Sequence, residues 1–258
     1  MKKHINIENK LIPMVFQLLV LFIWQISIDK WKVPQYILPS PKDIIITLVN
    51  IVPSITKHIY ATLYEALVGF VLSILVALLL AILMDNVKLI KKCIYPILVV
   101  SQTIPIIALA PLFVIWFGFG ILPKIIVVVL VCFFPIVISL IDGLESVDKD
   151  MINLLKTMGA SKLQIFTMVK LPASTVNFFS GLRIAATYSI MGAVIGEWLG
   201  GDKGLGVYMI RAKNSYALDK VFAVIIIIVV LSMGLFGFLY LLQYFFTPWS
   251  RNKADKKN

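Results

Sequence analysis

Few residues in this chain have side chains able to hold or balance a charge in apolar surroundings. Glu65, Arg183 and Glu197 fall inside or at the edge of long apolar runs. Ionisable groups in such runs are costly, and they mark a transport pathway, a gate or a fixed structural contact. Glu65 stands about one turn inside its run, where its carboxylate either reaches outward to water or serves a pathway. Arg183 stands about two turns inside another run, and its stem is long enough to reach the interface, which favours a structural role. Glu197, next to Trp198, reads as an interfacial anchor or as a pathway or gate residue. Arg183 and Glu197 are 14 residues apart, about 21 Å on a straight helix, so they need separate partners.

Other chemistries find little support. There is no G-x-x-x-x-G-K-[ST] and hence no phosphate-cradling loop of that type. GGDKGLG at 200–206 follows no strand, and it reads as a sharp turn into a short helix over about 205–213. The two histidines, His4 and His58, form no H-E-x-x-H, so no metal is expected. Cys93 and Cys132 lie in apolar runs and read as small buried hydrophobes.

Composition says where these residues must work. Of 258 residues 60% are hydrophobic and 14% charged, and the mean hydropathy is +0.96. A soluble domain of this length would carry more charge, so an integral membrane protein is expected. The formal net charge of +11 is that of lysines flanking membrane spans. No basic patch is interleaved with aromatic residues, and no nucleic acid partner is expected.

Six spans are predicted. A basic start, 1–10, precedes a first span at Leu11–Ile28 that is just long enough to cross. No small-residue cleavage site follows, so it reads as an uncleaved helix and not as a signal peptide. The outer connection up to residue 59 contains LPSPKDI, with Pro39 and Pro41 ahead of a short helix at about 42–52. Ala61–Met84 is the second span, and Asp85–Lys92 a loop carrying Lys88, Lys91 and Lys92. Cys93–Phe117 is the third, interrupted by Pro96, Pro105 and Pro111, whose freed carbonyls call for protein or a cavity beside them. Pro105 and Pro111 are expected to bend it where it lines a pathway. GFGILPK then reads as a tight turn, Ile125–Ile141 as the fourth span, about 176–199 as the fifth and Val221–Phe246 as the sixth. A basic tail closes the chain.

Asp142–Pro172 is the longest polar interruption and reads as a helical hairpin. Val147, Met151, Leu154, Leu155 and Met158 recur at helical spacing. Gly159 stops the first helix. Ser161 with Gln164 makes a capping box for the second, which Pro172 is expected to end. With the N-terminus inside, 14 lysines and arginines fall on the inner side and nine on the outer. That bias puts both termini and the hairpin in the cytoplasm.

The hairpin resembles the cytoplasmic loop of type I ABC importer permeases, whose pattern is E-A-A, three residues, Gly, nine residues, Ile, one residue, Leu-Pro. Gly159, Val169, Leu171 and Pro172 fall at those spacings, whereas Asn153, Leu154 and Leu155 stand in place of Glu-Ala-Ala. LPSP at 38–41, IPIIALAPLFVIWFGFG at 104–120, GLRIA at 181–185 and the GEWLGG…GLG run at 196–206 resemble the branch importing nitrate, sulfonates, taurine and thiamine-pyrimidine precursors. A basic residue usual near Glu65 in that branch is missing from the second span.

The resemblance implies an all-α polytopic membrane protein with six transmembrane helices, a cytoplasmic coupling hairpin and the type I ABC importer permease fold. It implies four segments: a cytoplasmic tail 1–10, a first helix with outer connection 11–59, a transmembrane type-1 domain 60–246 with coupling loop 142–172, and a basic tail 247–258. The implied partners are cytoplasmic ABC ATPase subunits, an extracytoplasmic solute-binding protein, a second permease copy as a homodimer, and the lipid bilayer of a prokaryotic inner membrane. The chain itself would bind no cofactor and hydrolyse nothing, since ATP and Mg act on the ATPase. Asn153, Leu154, Leu155, Gly159, Ala160, Ser161, Val169, Leu171 and Pro172 would contact that ATPase. The implied cargo is a small polar solute, best matched by a hydroxymethylpyrimidine-type thiamine precursor, with sulfonate, taurine or nitrate as alternatives. A secondary transporter or channel working without ATP is the rival class. It would place carboxylates or an inverted repeat near the midplane, and no repeat is visible.

Overall fold

A computed structural model describes residues 7–248, with side chains from residue 11 onward. The basic stretches 1–6 and 249–258 lie outside the described residues. The rest is helical: α1 Ile7–Trp31, α2 Pro41–Ile51, α3 Thr56–Asn86, α4 Lys88–Ser101, α5 Ile106–Phe117, α6 Ile121–Glu145, α7 Lys149–Thr157, α8 Lys162–Ile165, a π turn Phe166–Lys170, α9 Leu171–Trp198, α10 Leu205–Asn214 and α11 Leu218–Phe246. Five helical segments are long and apolar enough to span a membrane, and a sixth results if the bent pair α4–α5 counts as one. Helices satisfy their own backbone in lipid, which is why an apolar chain of this kind has this architecture.

Two compact units result. One comprises Met1–Lys57 with Tyr208–Ile227. Here Ser40 caps α2, its hydroxyl accepting from the Asp43 N–H at 3.2 Å, and Pro41 supplies the first helical residue. Gln25 accepts the Lys42 N–H at 3.2 Å, and Thr47 donates to Asp219 at 2.8 Å. Trp24 lies against Phe222 with ring centroids 5.9 Å apart.

The other unit comprises His58–Val207 with Ile228–Asn258. Its core is the packing of α3, α6 and α9, with Ala66, Ala77, Cys132, Ile136, Ala185 and Ile190 fully enclosed. Small residues set the spacing of α6 and α9. A Cβ on Gly181 would meet the Pro135 carbonyl at 2.7 Å, one on Gly192 the Val131 side chain at 2.6 Å, and one on Gly196 the Lys124 Cα at 2.9 Å. From the α6 side, Gly143 approaches the Ser174 Cα equally closely, at 2.9 Å. Without a hydrophobic drive between helices in lipid, such close approach supplies the dispersion contacts that hold them. Cys132 is buried here as expected, but Cys93 is exposed.

Three expectations need correction. The third span is not one helix: α4 and α5 meet at 103° across residues 102–105. Pro105 caps α5 and stands at this bend, whereas Pro111 lies within α5 without breaking it. The lysines expected in a loop at 85–92 stand on α4, because α3 continues to Asn86 and α4 starts at Lys88. Pro172 does not end the second hairpin helix. The Leu171 N–H bonds to the Phe166 carbonyl, a π-type step, and α8, the π turn and α9 form one helical run, Lys162–Trp198. The missing proline N–H is tolerated near the start of α9 because the widened turn has already re-registered the ladder.

Replacing Gly192 by leucine should lower the thermal unfolding temperature of the purified permease, overpacking costing about 1–3 kcal/mol. Gly234→Leu is the control, since a Cβ there meets nothing within 4 Å. Equal behaviour of the two variants would refute the close-packing account.

Candidate functional site: a buried charge cluster and an exposed hairpin

At one end of the second unit α3, α6 and α9 bring together residues far apart in sequence. The carboxylate of Glu65 on α3 is buried and accepts from Lys124 Nζ of α6 at 2.9 Å. Lys124, expected in an outer turn, is itself buried: α6 begins at Ile121, four residues earlier than its predicted span, and carries the lysine into the bundle. It supplies the basic partner that the second span lacks. Glu65 therefore does not reach outward to water.

Glu197 is 1% exposed and is no interfacial anchor. It accepts from Thr62 Oγ1 at 2.6 Å and from the Gly206 N–H at 2.5 Å. Thr62 in turn accepts the Leu205 N–H at 2.8 Å, and His58 Nδ1 lies 3.1 Å from the Gly204 nitrogen and 2.9 Å from its carbonyl oxygen. Two side chains of α3 and one of α9 thus hold the entry to α10, whose first N–H groups would otherwise lack partners. A carboxylate beside a helix N-terminus is electrostatically favoured. The glycines follow from this contact. Gly204 has φ +125°, and a Cβ on it would fall on the Glu197 carboxylate. One on Gly206 would approach the Val194 carbonyl at 2.5 Å.

Arg183 is not at the end of its helix. Because α9 starts at Leu171, Arg183 lies about 18 Å along it. Its guanidinium donates to Ser180 Oγ at 3.3 Å and lies 5.9 Å from the Phe236 ring centre. None of the ion pairs among the described residues involves it. It shares a partly uncovered face of α9 with Ile184, Thr187, Tyr188 and Met191. Pro105 and Pro111 are not among the contacts of this cluster, and Pro111 instead sits between the buried Ala110 and Phe113, which pack on Val127 of α6.

The hairpin occupies the opposite end of the α3–α6–α9 bundle. Asp148 caps α7 by accepting from the Asp150 N–H at 2.8 Å. At its other end Gly159 has φ +84°, and the Gly159 and Ala160 N–H groups bond back to Lys156 and Leu155, each at 3.0 Å. That is a Schellman ending, and it needs the left-handed conformation glycine tolerates. Ser161 and Gln164 form the expected reciprocal cap at 2.8 and 3.3 Å. Val147 is buried and Leu155 half-buried, but Met151, Leu154 and Met158 stay 51%, 61% and 74% exposed. Leu163 and Met168 extend this uncovered apolar surface. Asn153 and Ser161 are exposed, Leu171 and Gly159 also, whereas Ala160, Val169 and Pro172 are partly covered.

Sequence reasoning missed Lys124, Thr62 and the reason for Gly204 and Gly206. The signal available was a lysine four residues after Gly120 and directly before the apolar run beginning at Ile125, too close to that run to stay in solvent.

Exchanging Lys124 for methionine should destabilise the purified chain by about 3–5 kcal/mol, because Glu65 is left buried without its partner. Pairing that change with Glu65→Leu should recover most of the loss, read as the coupling in a double-mutant cycle of thermal unfolding. Additive losses would contradict the pairing.

Comparison with known proteins agrees with this architecture. The family model described as binding-protein-dependent transport system inner membrane component matches residues 69–248. The chain is 39% identical to the formylaminopyrimidine transport permease protein ThiX of Halalkalibacterium halodurans over 93% of its own length and 96% of that protein. It is 30% identical to the riboflavin transport system permease protein RibX of Chloroflexus aurantiacus, over 92% and 89% of the two chains. It is 29% identical to the putative aliphatic sulfonates transport permease protein SsuC of Bacillus subtilis, over 98% and 91%. These are membrane-spanning permease subunits, not enzymes, and the family works with an ABC ATPase and a substrate-binding protein. The chain is a multi-pass membrane protein and belongs to the family of binding-protein-dependent transport system inner membrane components, the type I ABC importer permeases.

Proposed function

We propose that this permease imports a pyrimidine precursor of thiamine, of the hydroxymethylpyrimidine or formylaminopyrimidine type. The observation that carries the substrate class is the 39% identity to a formylaminopyrimidine permease across nearly both whole chains. The sulfonate relative stands at 29% over a similar span. In this reading two copies form the translocation path, both termini and the hairpin lie in the cytoplasm, and a binding protein delivers the solute from outside. ATP and Mg act on the ATPase, and this chain contributes the surface through which that energy arrives.

The uncovered apolar surface of the hairpin supports the coupling role. A helix placed outside the bundle, capped at both ends and left with Met151, Leu154 and Met158 in solvent has the form of a helix-in-groove anchor. Leu154, where the family pattern has alanine, enlarges that surface. Gly159 and Ser161 fix the angle between the two short helices. Arg183, Thr187 and Tyr188 give α9 a polar stripe that lipid would disfavour, so in the dimer this face lines the path. The α4–α5 bend at Pro105 is the second path element. Glu65 and Glu197 are assigned to holding the far end of the bundle together.

Changing both Leu154 and Met158 to aspartate should abolish co-purification of the ATPase while leaving the unfolding temperature of the isolated permease within the range usual for surface changes. Gly159→Trp should leave membrane insertion intact and uncouple ATP hydrolysis from transport. Retained ATPase capture by the aspartate variant, or wild-type transport by the tryptophan variant, would refute the coupling assignment. Uptake of labelled formylaminopyrimidine by cells expressing the complete importer, lost on ATP depletion, tests the substrate. Sulfonate uptake in its place would refute the pyrimidine assignment and leave the coupling reading standing.

A further inference from the structure

Between the end of α3, the start of α4 and the hairpin lies an open cleft with a volume of about 720 Å³. Six lysines line it: Lys88 and Lys91 of α4, Lys149 and Lys156 of α7, Lys162 of α8 and Lys170 of the π turn. Its two acidic residues are already paired. Asp85 accepts from Lys170 Nζ at 2.7 Å, and Glu145 is paired with Lys91. Lys88, Lys149, Lys156 and Lys162 enter none of the ion pairs among the described residues. The lining therefore carries four uncompensated positive charges, contributed by three separate helices.

Two further features shape the site. The cleft has an apolar floor, since Met84, Leu144, Val147 and Ile165 are all buried. The start of α4 adds to the positive potential: it has no side-chain cap and no acid in its first turn. Its lysines stand against the sense of the helix dipole, an arrangement that a bound anion would relieve. Of the residues that the family resemblance assigns to the ATPase only Asn153 lines the cleft, and the exposed apolar surface proposed for that contact lies elsewhere. Lys149, Asn153 and Lys156 recur at helical spacing on the cleft side of α7, while Met151 and Leu154 occupy intervening positions, Met158 follows at the C-cap, and all three stand in solvent.

We infer that this cleft binds a phosphate-bearing anion, with its phosphate among Lys88, Lys149, Lys156 and Lys162 and its less polar part over the apolar floor. Either an anionic phospholipid headgroup or a soluble phosphate ester has that chemistry. Bound there, the anion bridges α4 and the hairpin. It favours the hairpin position in which the four lysines converge, because a ligand shifts an equilibrium by its differential affinity for the two states.

The test uses the full-length permease in phosphatidylcholine nanodiscs, alone and with its ATPase. One arm titrates inorganic pyrophosphate by calorimetry and thermal unfolding. The other replaces part of the phosphatidylcholine with phosphatidylglycerol. At least one probe should raise the unfolding temperature. The double variant Lys149→Gln/Lys156→Gln should weaken the response about tenfold or more. Lys88→Gln/Lys162→Gln, on two other helices, should do the same, so the result does not rest on α7 alone. Lys92→Gln removes a single charge from an exposed lysine of α4 that does not line the cleft, and it should retain the response. A response to phosphatidylglycerol alone identifies a lipid headgroup, and one to pyrophosphate alone a soluble phosphate ester. The inference is overturned if neither probe acts, or if Lys92→Gln weakens the response as much as the cleft variants do. It also fails if the cleft variants bind both anions normally and lose the ATPase instead.

Discussion

The close approach of α6 and α9 is the contact on which the second unit depends. In lipid, side chains gain nothing by leaving solvent for a neighbouring helix, so association rests on dispersion and on the few polar contacts that can form. Gly181, Gly192 and Gly196 on one helix and Gly143 on the other remove the side chains that would hold the backbones apart. α3 then packs on this pair through Ala66, Ala77 and Ala81. Small residues between α3, α6 and α9 make this part of the bundle intolerant of added volume.

Close packing creates the setting for the buried charges. Lys124 stands beside Gly196, where the helices nearly touch, and its ammonium is directed to Glu65. Removing water from such a pair is expensive, and the pair persists because each charge would be costlier alone. Glu197, one residue beyond Gly196, is held by a hydroxyl and a backbone N–H. The motif GEWLGGDKGLG is therefore a single device. Its first glycine admits Lys124, its glutamate receives the helix that follows, and its last two glycines clear space around that glutamate.

The helices themselves were legible because their signals are local. Gly159, the Ser161–Gln164 box and the apolar runs depend on neighbours a few residues away, and the structure has the glycine stop and the capping box where they were expected and helices over the apolar runs, the third of them bent. Pairings between distant residues were not legible. Nothing adjacent to Glu65 names Lys124, 59 residues away, and a lysine near a turn is ordinarily a solvent charge. The proline readings divided along the same line. Pro105 marks a break because it has no N–H to donate and biases the residue before it away from the helical region, whereas Pro172 is absorbed by a π turn whose widened ladder no residue pattern announces.

That absorption matters for how force would travel in the proposed importer. From Lys162 to Trp198 the chain is one helical run of 37 residues, about 55 Å if straight. Its first turns carry the hairpin's capping box, its middle carries Arg183 and the polar stripe, and its last turn carries Glu197. A helix broken at Pro172 would dissipate a displacement of the hairpin in the break. A continuous one passes it along the bundle, with the π turn as the place where bending costs least, since its hydrogen bonds are already out of α register. The glycine contacts with α6 would then set the pivot, because Gly181, Gly192 and Gly196 leave that seam no slack. On this reasoning the far end, clamped by Glu197 to Thr62 and Gly206, is the fixed end of the lever and the hairpin the moving one.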